Sequence, residues 1–194
     1  IKGLKKGTVI LTKSIKGAEV TLDSINLNGT SKFTLGSYLN ESEVLKIKLT
    51  QSGIHNDEIE FFADKGITNF KTNLKRFSYE SNFDGSDQQE KLDDFKTMLI
   101  RFKEENLNLI KNQIEFSGNQ EKLNIINREL INLKKREMYL IINFSINNSE
   151  SEISPYIAGK FLKDANQKYL DTIYNSLSKN IKDSKYGVLL QEII

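Results

Sequence analysis

The chain has no cysteine and no tryptophan, a single proline and a single histidine in 194 residues. Without a thiol it excludes thiol–disulfide exchange, a cysteine nucleophile and any thiolate metal site. With His55 as its one imidazole, it lacks the ligand set that tight transition-metal binding uses. No apolar run approaches the roughly 20 residues of a membrane-spanning helix. Charge of one sign is also missing: 28 Lys and Arg stand against 26 Asp and Glu, a formal net charge of +2, with the two signs interspersed. That balance gives no basic stripe for a phosphate backbone, so nucleic acid is not an expected partner. The longest basic run, Lys134-Lys135-Arg136, falls inside a helical pattern and reads as its solvated face. The glycine-rich phosphate loops, the zinc-protease helix motif and the serine elbow are all absent from the sequence.

What is present is a change of period. From residue 7 to about 83 the apolar residues alternate, the sign of strands with one buried face. Val9 and Leu11, Val20 and Leu22, Phe33 and Leu35, then Leu45, Ile47 and Leu49, then Ile59 and Phe61 mark successive strands. Turns are expected at Lys16-Gly17, Asn28-Gly29, Gly36, Ser52-Gly53 and Lys65-Gly66, each offering a glycine tolerant of positive φ. Short strands at this spacing leave no room for parallel crossovers and predict an antiparallel β-sandwich or open barrel.

After Asp84-Gly85 the period lengthens. Ser86-Asp87-Gln88-Gln89 has the spacing of a capping box, in which a serine hydroxyl and a glutamine side chain serve helix-terminal N–H groups. Leu92, Phe95, Leu99, Phe102, Leu109 and Phe116 then form the stripe of a helix of about 30 residues. Ser117-Gly118-Asn119 interrupts it, and Leu123, Ile126, Leu130, Leu133, Leu140 and Phe144 begin a second stripe, so a helical hairpin is predicted. Ser154-Pro155 predicts a helix with serine as N-cap and proline at the first position. Further short helices are expected to start at Asp164-Ala165-Asn166-Gln167, with Leu170, Ile173, Tyr174 and Leu177 on one face, and at Ser184. The reading is therefore α+β: an antiparallel β domain over residues 1–84, then a helical region over residues 85–194 comprising a long hairpin and short C-terminal helices.

The residues able to carry chemistry are few. His55 sits in a predicted turn beside Asn56 and Asp57 and reads as a solvent-exposed turn histidine. Asp93-Asp94 and Glu104-Glu105 are neighbours in sequence, so on a helix each pair diverges by about 100° and does not converge on one proton or metal. Asp57, Glu58 and Glu60 resemble an acidic cluster but lack the spacing of a calcium loop. No catalytic, cofactor-binding or metal-binding residue is assigned, and no cofactor is expected.

Three stretches together resemble a domain of unknown function found in secreted proteins and lipoproteins of Bacteroidetes, commonly just before a thioredoxin-like domain of the TlpA type. The first is Gly3-Leu4-Lys5-Lys6-Gly7-Thr8-Val9-Ile10-Leu11, with Val20-Thr21-Leu22-Asp23-Ser24 and Asn28-Gly29 before Lys32-Phe33. The second is Asp84-Gly85-Ser86-Asp87-Gln88-Gln89, and the third runs through residues 147–158 with Ser154-Pro155, Tyr186-Gly187 resembling the closing motif. The resemblance extends over nearly the whole chain. It implies architecture and location rather than a site, since the family brings no established catalytic residues, and this chain has no Cys-x-x-Cys.

These readings lead to an expected non-catalytic accessory or interaction module of a bacterial cell-envelope protein. One alternative is the regulatory or substrate-presenting part of a thioredoxin-like oxidoreductase whose catalytic domain lies outside this chain. Another is a glycan- or lipid-binding module displaying Tyr38, Tyr79 and Phe83. An enzyme using carboxylates from different strands is the outsider. The expected partner is a protein or a linked thioredoxin-like domain. Because residue 1 is Ile and the strand pattern is already under way, an export signal is expected upstream, ending in a lipoprotein-type cysteine that would anchor the module at a membrane. A cytosolic protein with a trimmed leader is the alternative.

Overall fold

A computed structural model of the chain describes residues 1–15, 17–51 and 54–194, without the side chains of residues 54–56. It divides into two compact units, Ile1–Glu90 and Lys91–Ile194.

In the first unit, four strands form an antiparallel sheet: β1 (Lys6–Ile15), β2 (Ala18–Asn28), β3 (Glu43–Gln51) and β4 (Ile54–Ala63). Their order across the sheet is β2-β1-β3-β4. The alternation read from the sequence sets the register. Leu11 lies opposite Ile47, Ile47 opposite Ile59, and Leu45 opposite Phe61, so one face is a continuous apolar floor. Lys46 and Lys48 point the other way, opposite Glu60 and Glu58. Two short strands, β5 (Asn69–Lys71) and β6 (Asn82–Asp84), form a separate ribbon, and a single 3-10 turn spans Leu74–Arg76. The ribbon packs on the floor through rings: Phe83 stacks on Phe61 at 4.6 Å between centroids and 9° between planes, and Phe70 lies 4.9 Å from Phe83. The β part is thus a sheet with a small second layer.

Two expected strand features differ. Phe33 and Leu35 are in no strand, because residues 30–42 run irregularly, packing Phe33, Leu35 and Leu39 on the core. One bond of this strap is the Gly36 N–H to the Asp23 carboxylate of β2, at 2.8 Å, in place of a strand ladder. The strand β2 carries a bulge, since Leu11 pairs with Asp23 and Thr12 with Thr21, which breaks the expected Val20–Leu22 alternation and leaves Val20 exposed. Of the expected turn glycines, Gly17, Gly29 and Gly66 have positive φ, Gly36 is not among those that do, and Gly53 lies outside the described residues.

The serine half of the expected capping box is present, and the glutamine half is turned to the sheet. Gln89 N–H donates to Ser86 Oγ at 3.1 Å, while Gln89 Oε1 accepts the N–H of Phe62 at 2.7 Å. Ser86 Oγ lies 2.8 Å from Phe62 O and 3.0 Å from Asp64 Oδ2, which also accepts Gln88 N–H. The first turn of helix α1 (Asp87–Glu115) is in this way bonded to the end of β4. Gly85, with φ of 93°, fits because a Cβ there would stand 2.4 Å from the Ile67 carbonyl oxygen.

In the second unit α1 pairs with α2 (Gln120–Asn147) as the expected hairpin. Phe95 meets Phe144, Glu105 bonds Arg136, and Gln113 bonds Asn127 at 2.9 Å, so contacts step down one helix as they climb the other. Asn119 caps α2 by accepting Lys122 N–H. The remaining helices are α3 (Ile153–Phe161), α4 (Gln167–Ser176), α5 (Lys179–Lys182) and α6 (Lys185–Glu192). The two short helices expected near Asp164–Gln167 and from Ser184 are α4 and α6, N-capped by Asn166 and Ser184. Ser154 is not: α3 begins two residues earlier than expected, Ser154 Oγ donates to Ser145 O at 2.7 Å, and Pro155 sits third in the helix. Proline is accommodated there because N–H groups of the first turn have no intrahelical acceptor.

Gly187 is the most closely packed glycine of this unit: a Cβ would fall 2.0 Å from Ile181 O and 2.6 Å from Lys182 O. Gly118, at the hairpin turn, has nothing within 4 Å of its Cβ position. Gly187→Ala is therefore expected to cost about 3 kcal/mol or to prevent the second unit from folding, whereas Gly118→Ala stays within about 0.5 kcal/mol of the parent. Denaturant unfolding followed by circular dichroism measures both. Equal effects would show that the backbone yields around α6.

Candidate active or binding site in the sheet unit

The first unit holds a cavity of about 1320 Å³ between the apolar floor, the strap and the ribbon. Its size exceeds the roughly 300–1,000 Å³ of ordinary small-molecule pockets. Leu11, Leu45, Ile47 and Phe61 line it from the sheet, Phe33, Leu35 and Leu39 from the strap, and Phe70 and Phe83 from the ribbon. Phe70 is the hub of the aromatic wall: besides Phe83 it meets Phe33 edge-on at 6.4 Å and Phe77 at 6.2 Å. Polar residues, among them Ser31, Thr34, Ser37, Asn69 and Asn82, share the lining, and a mixed lining of this kind suits a ligand with both apolar and polar parts.

The polar groups of the lining are unevenly engaged. Thr72 Oγ1 donates to Phe77 O, Asn73 caps the 3-10 turn by accepting Lys75 N–H, and Glu80 pairs with Arg76 at 2.8 Å. Asp64 Oδ2 is taken by Ser86 and Gln88, while its Oδ1 is buried with no hydrogen-bond partner. Lys2, Lys32 and Lys71 also line the cavity.

The residues singled out from sequence lie elsewhere. β4 begins at Ile54, so His55 is within a strand rather than the expected turn, and its side chain lies outside the described residues. Asp93-Asp94 and Glu104-Glu105 are exposed on α1, Asp93 beside Lys96 and Glu105 bonded to Arg136. Lys134 and Lys135 are exposed, as is Arg136. Tyr38 and Tyr79 are 84% and 91% exposed and do not line the cavity, whereas Phe83 is buried in the ring stack and does. Among the described residues no group of three or more His, Asp or Glu is placed to hold a metal ion. No helix among them is long and apolar enough to cross a membrane. Sequence reasoning gave no site role to Lys2, Lys32 and Lys71, which are far apart in the chain.

Glu58 and Glu60, which looked like part of an acidic cluster, belong to an ion-pair ladder on the sheet's charged face. Lys46 reaches Glu58 at 3.1 Å and Glu60 at 3.7 Å, and Lys48 bonds Glu19 and lies 3.4 Å from Glu58. The Lys48 ammonium, with the Thr12 hydroxyl, holds the Glu19 carboxyl below its ordinary 4.5. Hydrogen bonding to Glu58 raises Lys46, and to Glu19 raises Lys48, above the ordinary 10.5. A depressed carboxyl stabilises the fold above its unfolded pKa and loses that contribution as pH falls through the lowered value. The raised lysines stabilise below 10.5 and lose their contribution as pH rises through the raised values. Because the ladder is exposed, the effects are small and salt-sensitive. Glu19→Gln is accordingly expected to lower Tm slightly at neutral pH in low salt. The deficit should disappear well below pH 4.5 or in about 1 M salt. A deficit that persists under both conditions would mean that Glu19 acts by packing rather than by charge.

Comparison with known proteins adds one result. Neither the curated proteins nor the solved structures give a match to the chain. The family match takes in the sheet unit and the start of α1, and leaves out the stretches at 147–158 and 186–187 over which the resemblance was also expected. Residues 1–92 match the family described as a domain of unknown function (DUF4369).

Proposed function

We propose that the chain is a non-catalytic accessory module of an exported bacterial cell-envelope protein, and that its sheet unit binds an apolar ligand in the cavity beneath the strap. The observation that carries the reading is the cavity itself: apolar side chains from the sheet, the strap and the ribbon converge on it, alongside polar residues of the strap and the ribbon. Burying an apolar group against such a lining contributes about 25 cal/mol per Å² removed from water. This is the lipid-binding alternative relocated. The contacts come from the aromatic wall of Phe33, Phe70 and Phe83 instead of the exposed tyrosines. Envelope location and a lipid anchor upstream rest on the sequence resemblance, and fractionation of the source cells tests them: recovery of the protein in the cytosol would contradict that part.

The binding part is tested with Leu39→Trp, which fills part of the cavity and supplies the only indole in the chain. The parent protein should bind a neutral fluorescent probe such as phenylnaphthylamine saturably. The variant, with an unchanged unfolding curve, should bind it about tenfold more weakly and report occupancy through its own emission. Absence of saturable binding by the parent, or equal affinity in the variant, would overturn the assignment of the cavity.

A further inference from the structure

Three lysines far apart in sequence, Lys2, Lys32 and Lys71, belong to the lining of the cavity, and backbone hydrogen bonds join the segments that carry them. The Lys2 N–H donates to Thr72 O at 2.8 Å, and Leu74 N–H donates back to Lys2 O at 3.0 Å, which sets Lys2 beside the strand that carries Lys71. The backbone nitrogen of Ile1 donates to Ser31 O at 2.7 Å, which sets the same segment beside Lys32. All three lysines line the cavity, are exposed, and make no ion pair among the described residues. Of the two acids of the lining, Glu80 is paired with Arg76, whereas Asp64 accepts only from the neutral Ser86 hydroxyl and the Gln88 N–H and keeps its charge. The net charge of the lining is therefore positive, three lysines standing against the Asp64 carboxylate.

Resting on the reading of the cavity as an apolar binding site, we infer that its ligand is a monomeric amphiphile with one apolar chain and an anionic head, of the fatty-acid type. The chain lies against Phe33, Phe70 and the floor, and the carboxylate meets Lys2, Lys32 and Lys71. A carboxylate accepts the charge-assisted N–H bonds that these ammonium groups offer. A cationic head would meet like charge at the lysines. A neutral head would gain only the apolar part.

Titration of the isotopically labelled chain by NMR with decanoate, decanol and decyltrimethylammonium, all as monomers, separates the contributions of chain and head. Decanoate is expected to bind about tenfold more tightly than decanol at low salt and to lose that advantage in about 1 M salt, where the Debye length is about 3 Å. Shifts should centre on the strap and the ribbon. In the Lys2→Gln, Lys32→Gln, Lys71→Gln triple variant, decanoate should fall to the affinity of decanol while decanol binding stays unchanged, which also reports that the fold is intact. Equal binding of decanoate and decanol by the parent, or preference for the cationic amphiphile, would overturn the assignment of the head and leave the apolar cavity standing. Failure of every chain to bind would overturn both. Binding to anionic vesicles without binding of monomeric decanoate would likewise overturn the inference, since it would make the lysines a membrane-surface patch.

Discussion

The stack of Phe83 on Phe61 is the contact on which the architecture of the sheet unit turns. Two parallel rings 4.6 Å apart fasten a ribbon of three-residue strands to the floor of the sheet. Strands so short have no stability of their own, and a two-stranded ribbon in water is marginal. Buried phenylalanines typically cost about 3–5 kcal/mol when truncated, so the stack can hold such a ribbon where its few backbone bonds cannot. The position of the ribbon in turn fixes Phe70, and Phe70 gives the strap's Phe33 an edge to pack against. Floor, ribbon and strap therefore stand or fall together, and the half-open cavity is the space between them.

A second constraint fixes where the sheet ends and the long helix begins. Ser86, Gln89 and Asp64 form a buried polar bracket around the backbone of Phe62, and Gly85 allows the chain to pass within van der Waals distance of the Ile67 carbonyl. Hydrogen bonds buried in this way are costly to break singly, because each leaves a desolvated partner. The orphaned Asp64 Oδ1 is the exception within the bracket. The chain thus uses one short stretch, Asp84-Gly85-Ser86-Asp87-Gln88-Gln89, both to leave the sheet and to start α1.

Periodic segments were legible from sequence. Leu45, Ile47 and Leu49 announced β3, and the stripe from Leu92 to Phe116 announced α1, because burial of one face imposes a fixed spacing. Phe33 and Leu35 misled for the same reason: two apolar residues two apart satisfy a strand pattern, yet here they are anchors of a strap whose backbone bond goes to Asp23. Pro155 shifted the expected start of α3 because proline is tolerated through the first turn, so its position does not fix the cap. The site was the least legible part. Its floor looks like any sheet core, Phe83 reads as core packing as readily as a displayed aromatic, and the segments carrying its three lysines are joined by backbone hydrogen bonds that leave no periodic trace.

The central claim is that the space between floor, strap and ribbon is a binding site rather than loose packing. A crystal structure of the chain grown with decanoate tests it most directly. The account predicts continuous density for an alkyl chain between Phe33, Phe70 and the sheet floor, with its carboxylate at Lys2, Lys32 and Lys71. A strap collapsed onto the floor, with the space closed and no chain inside, would contradict it.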